Sequence, residues 1–127
     1  MEPVMTINVT TYEAQTVVSA ERTVVMIPFS ASAEGGLFTG STTGNGCDTQ
    51  YVFPDGKMRL SARYMLSGKD RDGNDCRVFI ENNGSSLDDC TPVIFTDSPA
   101  LAFLQDAKLR ANVECVEGGV IVRIYVC

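Results

Sequence analysis

Asp48, Arg63 and Asn82 are the residues of this sequence whose types could do chemistry together: a carboxylate, a guanidinium whose planar fork of donors suits a carboxylate or carbonyl, and an amide. Only turn placement can bring them together. A two-residue hairpin loop at Asp55-Gly56 places Asp48 opposite Arg63, Gln50 opposite Ser61 and Tyr51 opposite Leu60. The same kind of loop at Asp72-Gly73 places Arg63 opposite Asn82 and Met65 opposite Ile80. Side chains alternate along a strand. One face then carries Asp48, Gln50, Val52, Arg59, Ser61, Arg63 and Met65, and the other Cys47, Tyr51, Phe53, Met58, Leu60, Tyr64 and Leu66. The candidate ligand-binding set is therefore Asp48, Arg63, Asn82, Gln50 and Ser61, suited to an anionic or carbonyl-bearing ligand. Asp48 as a general base is weakened by the adjacent guanidinium, which holds a carboxyl pKa down. The structural alternative is a buried Asp48–Arg63 ion pair that fixes strand register and touches no ligand.

Most other chemistries are excluded by composition. The chain has no histidine, so Ser-His-Asp and Cys-His machinery and His-ligated metals are absent. Cys47, Cys76, Cys90, Cys115 and Cys127 show no Cys-x-x-Cys spacing, so no metal is expected and the thiols read as reduced. A thiolate at Cys47 is disfavoured by neighbouring Asp48. Gly35-Gly36 and Gly40 to Gly46 are followed by no Lys-Ser or Lys-Thr, and read as turns and not as a phosphate loop. No cofactor is expected. A net charge of −6, with the basic residues scattered, argues against a nucleic-acid partner.

The elements that must position these groups read as strands. Runs rich in Val, Ile, Thr, Tyr and Phe, separated by glycine-containing turns, predict strands over 5–11, 14–20, 23–33, 37–43, 47–53, 58–67, 76–82 and 109–127, the last split at Glu117-Gly118-Gly119. A Gly118-Gly119 loop pairs Glu114 with Arg123 and Val113 with Ile124. Pro28 predicts a bulge or interruption in its run. Residues 98–106 alone read as helical, with Ser98 as N-cap and Pro99 in the first helical position, the apolar segment plugging or flanking one end of the sheet. A single domain over 1–127 is expected. Closing the sheet into an antiparallel up-and-down barrel of about eight strands removes its edges. Apolar residues on both faces of several strands predict a homo-oligomer.

Gly35-Gly36-Leu37-Phe38-Thr39-Gly40, Asp48, Asp55-Gly56, Arg63-Tyr64-Met65-Leu66, Asp72-Gly73 and Asn82-Asn83-Gly84 follow the order and spacing of the domain-of-unknown-function family 3237, which this chain resembles over roughly residues 20–126. The resemblance implies a calycin, or lipocalin-like, eight-stranded barrel. The chain departs from that pattern at Thr49 and at Leu101-Ala102-Phe103-Leu104-Gln105, where the family carries aromatics.

No apolar run is long enough to span a bilayer, and Met1-Glu2-Pro3-Val4-Met5 lacks a signal-peptide pattern, so a cytoplasmic location without membrane contact is expected. Two functions follow. The first is a small-molecule-binding barrel with a polar interior site around Asp48, Arg63 and Asn82. The alternative is a cofactor-independent enzyme, an isomerase, lyase or hydrolase using Asp48 and Arg63.

Overall fold

The computed structural model describes residues 2–127. Ten strands run in chain order: β1 (Met5–Thr11), β2 (Gln15–Val18), β3 (Thr23–Glu34), β4 (Phe38–Thr42), β5 (Gly46–Val52), β6 (Met58–Asp70), β7 (Asp75–Ser86), β8 (Asp89–Thr96), β9 (Leu109–Val116) and β10 (Gly119–Val126). All pairings are antiparallel, each wall strand beside the next, and β1 closes the ring by pairing with both β10 and β3. Two walls are broken strands: β1 with β2 runs along one side of β3, and β4 with β5 along the other. The ten segments thus build eight walls of a closed barrel. Strand β8, not foreseen from sequence, completes it. Its seam with β9 is narrow, joined in the ladder at Cys90 opposite Ala111.

The bulge or interruption expected at Pro28 does not form in its own strand, since β3 runs unbroken over Thr23–Glu34; the break falls in the neighbouring wall, between β1 and β2. The carbonyl of Pro28 accepts from Tyr12 N at 2.9 Å, so residue 28 directs its polar groups toward the chain between β1 and β2. Proline has no N–H to offer there, and the neighbouring strand is interrupted opposite it.

Inward side chains from residue 5 of β1 through Ile124 of β10 form one apolar core, including Ile7, Phe29, Phe38, Leu66, Val78, Ile80 and Ile94. Leu101 and Leu104 join it from the segment between β8 and β9, closing the base of the barrel. The helix expected over 98–106 is a single 3-10 turn, Ala102–Gln105. Ser98 does not cap a longer one because its hydroxyl donates to Asp70 Oδ2 at 2.7 Å.

Three register expectations are corrected. The β5–β6 hairpin has a three-residue loop, Pro54-Asp55-Gly56: Phe53 N donates to Lys57 O, and Gly56 N to Phe53 O, both at 2.9 Å, with Gly56 at φ +87°. Register moves by one residue, so Arg63 lies opposite Cys47, Asp48 opposite Ala62, and Ser61 opposite Thr49. The β6–β7 hairpin repeats the geometry over Arg71-Asp72-Gly73, with Gly73 at φ +80°, and puts Arg63 opposite Glu81 in place of Asn82. In the β9–β10 hairpin the loop is Glu117-Gly118, because Gly119 belongs to β10, where an added Cβ would strike the Val9 carbonyl. That shift is of two residues and preserves the faces. Arg123 is therefore diagonal to Glu114, and still reaches it at 2.7 Å.

Candidate functional site

A one-residue shift exchanges the faces of a strand, and here it divides the five candidate residues. Asp48, Gln50 and Asn82 face the barrel interior with Leu60, Ala62 and Tyr64. Arg63 and Ser61 face outward. The expected Asp48–Arg63–Asn82 triplet is not formed, and neither is the Asp48–Arg63 ion pair.

Inside, register carries one row around the wall through Ile27, Asp48, Ala62, Asn82 and Pro92, on five successive strands. Asp48 and Asn82 sit two strand spacings apart, roughly 10 Å between Cα atoms, with only the methyl of Ala62 between them. Gln50, next inward-facing residue on β5, donates its Nε2 to Asp48 Oδ2 at 2.8 Å. Burial raises the Asp48 carboxyl above its ordinary pKa, and the Gln50 hydrogen bond opposes this in part. Across the interior, burial and then the charges of Asp89, Asp48 and Asp88 push the Cys90 thiol up.

Two further groups face inward unpaired. Asn82 is 7% exposed and its Oδ1 is buried without a hydrogen-bond partner among the described residues. Tyr64, 5% exposed, packs edge-to-face on Phe29 with ring centroids 5.2 Å apart, and its hydroxyl is likewise buried and unpartnered. Burial drives the Tyr64 pKa far up, keeping it a neutral phenol. Toward the open end, inward-facing Val9, Val25, Ile27, Val113 and Val120 are only half-buried, whereas the matching positions at the base are fully buried. The half-buried inward residues of this end form a shallow cup above the packed core, apolar except for the wall that carries Asp48, Gln50 and Asn82. Among the described residues no Lys or Arg faces into it.

Outside, a chain of polar contacts spans β6 and β7. Ser61 Oγ donates to Asn83 Oδ1 at 2.7 Å, Asn83 Nδ2 donates to Glu81 Oε2 at 2.8 Å, and Glu81 Oε1 lies 2.9 Å from Arg63 Nε. These residues, except Glu81, border an open groove of about 1300 Å³ together with Tyr51, Phe53 and Arg59. Arg22 lies over both rings, 5.1 Å from that of Tyr51 and 4.9 Å from that of Phe53. Sequence reasoning missed Tyr64 as a polar group, and Glu81 and Asn83 as the partners of Arg63 and Ser61. The available signal was Pro54: proline suits the second position of a type I turn, the core of a three-residue loop closed by glycine.

Among the described residues no group of His, Cys, Asp and Glu is placed to hold a metal, and no helix is long and apolar enough to cross a membrane. None of the five cysteines is paired with another.

The chain is similar to a UPF0311 protein of Clostridium acetobutylicum, 42% identical over 60 residues, which is 46% of this chain and 35% of that protein. The match thus spans about a third of that relative's length. A crystal structure of a protein with unknown function from Clostridium acetobutylicum superposes with a TM-score of 0.83 at 26% identity, covering 98% of this chain and 96% of the other. A beta-barrel like protein from Acinetobacter baumannii shares the fold, with a TM-score of 0.79 at 20% identity over 98% and 93% of the two chains. The sequence pattern of DUF3237, a family of proteins of unknown function, matches residues 1–88, and with the barrel above it establishes that this chain belongs to that family.

Proposed function

We propose that the barrel binds a small molecule, which enters the open end and hydrogen-bonds to the inner wall at Asp48, Gln50 and Asn82, with Tyr64 below them. The observation that carries this reading is the pair of buried, unpartnered atoms, Asn82 Oδ1 and Tyr64 Oη. Each such group costs a fold about 1–3 kcal/mol, a cost that a ligand supplying the missing hydrogen bond removes. The outward position of Arg63 takes it out of this site.

Native mass spectrometry of the protein purified from cells tests the reading. A small-molecule adduct is expected on the wild type and lost in Asn82→Leu, whose fold is expected to be as stable as the wild type or more so. A wild type free of adduct that is also unmoved in melting temperature by a library of small polar amphiphiles would sink it.

The alternative, a cofactor-independent enzyme, rests on one observation, the partly buried Asp48 carboxyl with its raised pKa. It would act as a lone acid/base without Arg63. A cytoplasmic location and self-association belong to the same proposal. Supporting the latter is the free edge of β2, whose Val17 and Val18 are 60% and 79% exposed.

A further inference from the structure

Resting on the interior site just proposed, we infer that its ligand is a primary amine or related N–H-rich cation carried on a small apolar body. Three unmet atoms of the wall, Asp48 Oδ1, Asn82 Oδ1 and Tyr64 Oη, are acceptors or can act as such, whereas Asn82 Nδ2, which makes no hydrogen bond among the described residues, is a donor. Asp48 Oδ1 has no hydrogen bond among the described residues, since Gln50 occupies Oδ2. Asn82 Oδ1 has no donor, and Tyr64 Oη can accept as well as donate. Asp48 and Asn82 lie on one inward row either side of Ala62, so a compact group with several N–H bonds seated over Ala62 has an acceptor on each flank; an ammonium offers three.

Charge selects in the same direction. Asp48 is the only ionisable carboxylate of this wall patch, and no inward-facing Lys or Arg offsets it among the described residues. A carboxylate or phosphate entering the cup would meet like charge and lose its water without compensation. An ammonium meets a partner, and charge-assisted hydrogen bonds are the stronger kind. The half-buried Val9, Val25, Ile27, Val113 and Val120 around the opening supply contact for an apolar body and nothing for further polar groups.

The test uses matched probes that differ only in the polar head: benzylamine, benzyl alcohol and benzoate, with hexylamine, hexan-1-ol and hexanoate as a second series. Calorimetric titration of the wild type should rank amine above alcohol above carboxylate, with amine affinities on the order of millimolar, as their size allows. In Asp48→Asn, which keeps the shape and the Gln50 contact, amine affinity should fall at least about tenfold while alcohol affinity changes little. A carboxylate that binds as well as its amine, or an amine preference that survives in Asp48→Asn, overturns the inference. If alcohols and amines bind equally and Asn82→Leu abolishes both, the cup reading stands and the amine assignment falls. If no probe binds and no adduct is found on the purified protein, both fall.

Discussion

Asp48 is held at a cost to the fold. Its folded pKa is raised by burial, so the native state takes up its proton at higher pH than the unfolded chain does, and stability is lost as pH rises from the ordinary carboxylate value through the raised one. Asp48→Asn should therefore raise the melting temperature at pH 7 by about 2–4 °C and flatten its dependence on pH in that window. A lower melting temperature at pH 7 would show that the charge is compensated. Tyr64→Phe removes only a hydroxyl without a partner and should leave stability unchanged or slightly higher; thermal denaturation of the two variants side by side checks both. At this scale the sequence offered the polar residue types and assigned some of them to the wrong face. Asp48, Gln50 and Asn82 stand out by residue type, but which face each occupies depends on a loop of two or three residues, and Asp-Gly serves either. Arg63 joined the set through that loop and leaves it through that loop.

Asp70 shows what holds an element in place. Its Oδ1 accepts from the backbone N–H groups of Asp72 and Asn74, at 2.9 and 3.1 Å, and Ser98 Oγ donates to Oδ2. One carboxylate thus shapes the β6–β7 turn and anchors the chain that leads into the 3-10 turn beneath the core. The Ser98 hydrogen bond, with help from the backbone, holds the Asp70 carboxyl below its ordinary pKa. Its contribution is complete above the unfolded carboxylate value and is lost as pH falls through the lower folded one. Asp70→Ala should lower the melting temperature by several degrees at pH 7 and by much less at pH 2–3, a difference that calorimetry at the two pH values resolves. The strand segments were legible from β-branched runs and glycine punctuation, except β8. There Asp88-Asp89 and Pro92 obscure the pattern, although Cys90, Pro92 and Ile94 alternate inward as a strand requires. The 98–106 helix was overread because Ser98 has another use for its hydroxyl.

Barrel closure was legible as the remedy for many strand edges, but the leftover edge was not. The β2–β3 ladder continues from the turn bond between Ser19 N and Arg22 O, so the backbone groups of Thr16 and Val18 point away from β3 and find no partner among the described residues. An edge of Thr16-Val17-Val18, bare of charge, fits a second copy of itself about a two-fold axis at Val17. Thr16→Pro deletes one outward N–H and leaves the β2–β3 bonds intact. If the chain self-associates there, sedimentation should show Thr16→Pro shifted to monomer at concentrations where the wild type is dimeric, with the melting temperature of the monomer preserved. Equal sedimentation of both proteins would place any association elsewhere.

The loop at Pro54-Asp55-Gly56 acts as a parity bit for the wall. Lengthening or shortening it by one residue turns β5 inside out relative to β6, sending Asp48 and Gln50 into solvent and drawing Tyr51 and Cys47 into the cup. Change by two residues leaves every side chain on its own side. A hairpin of altered length therefore keeps this interior only when it changes in even steps, so a turn at the rim of the barrel decides which side chains face inward.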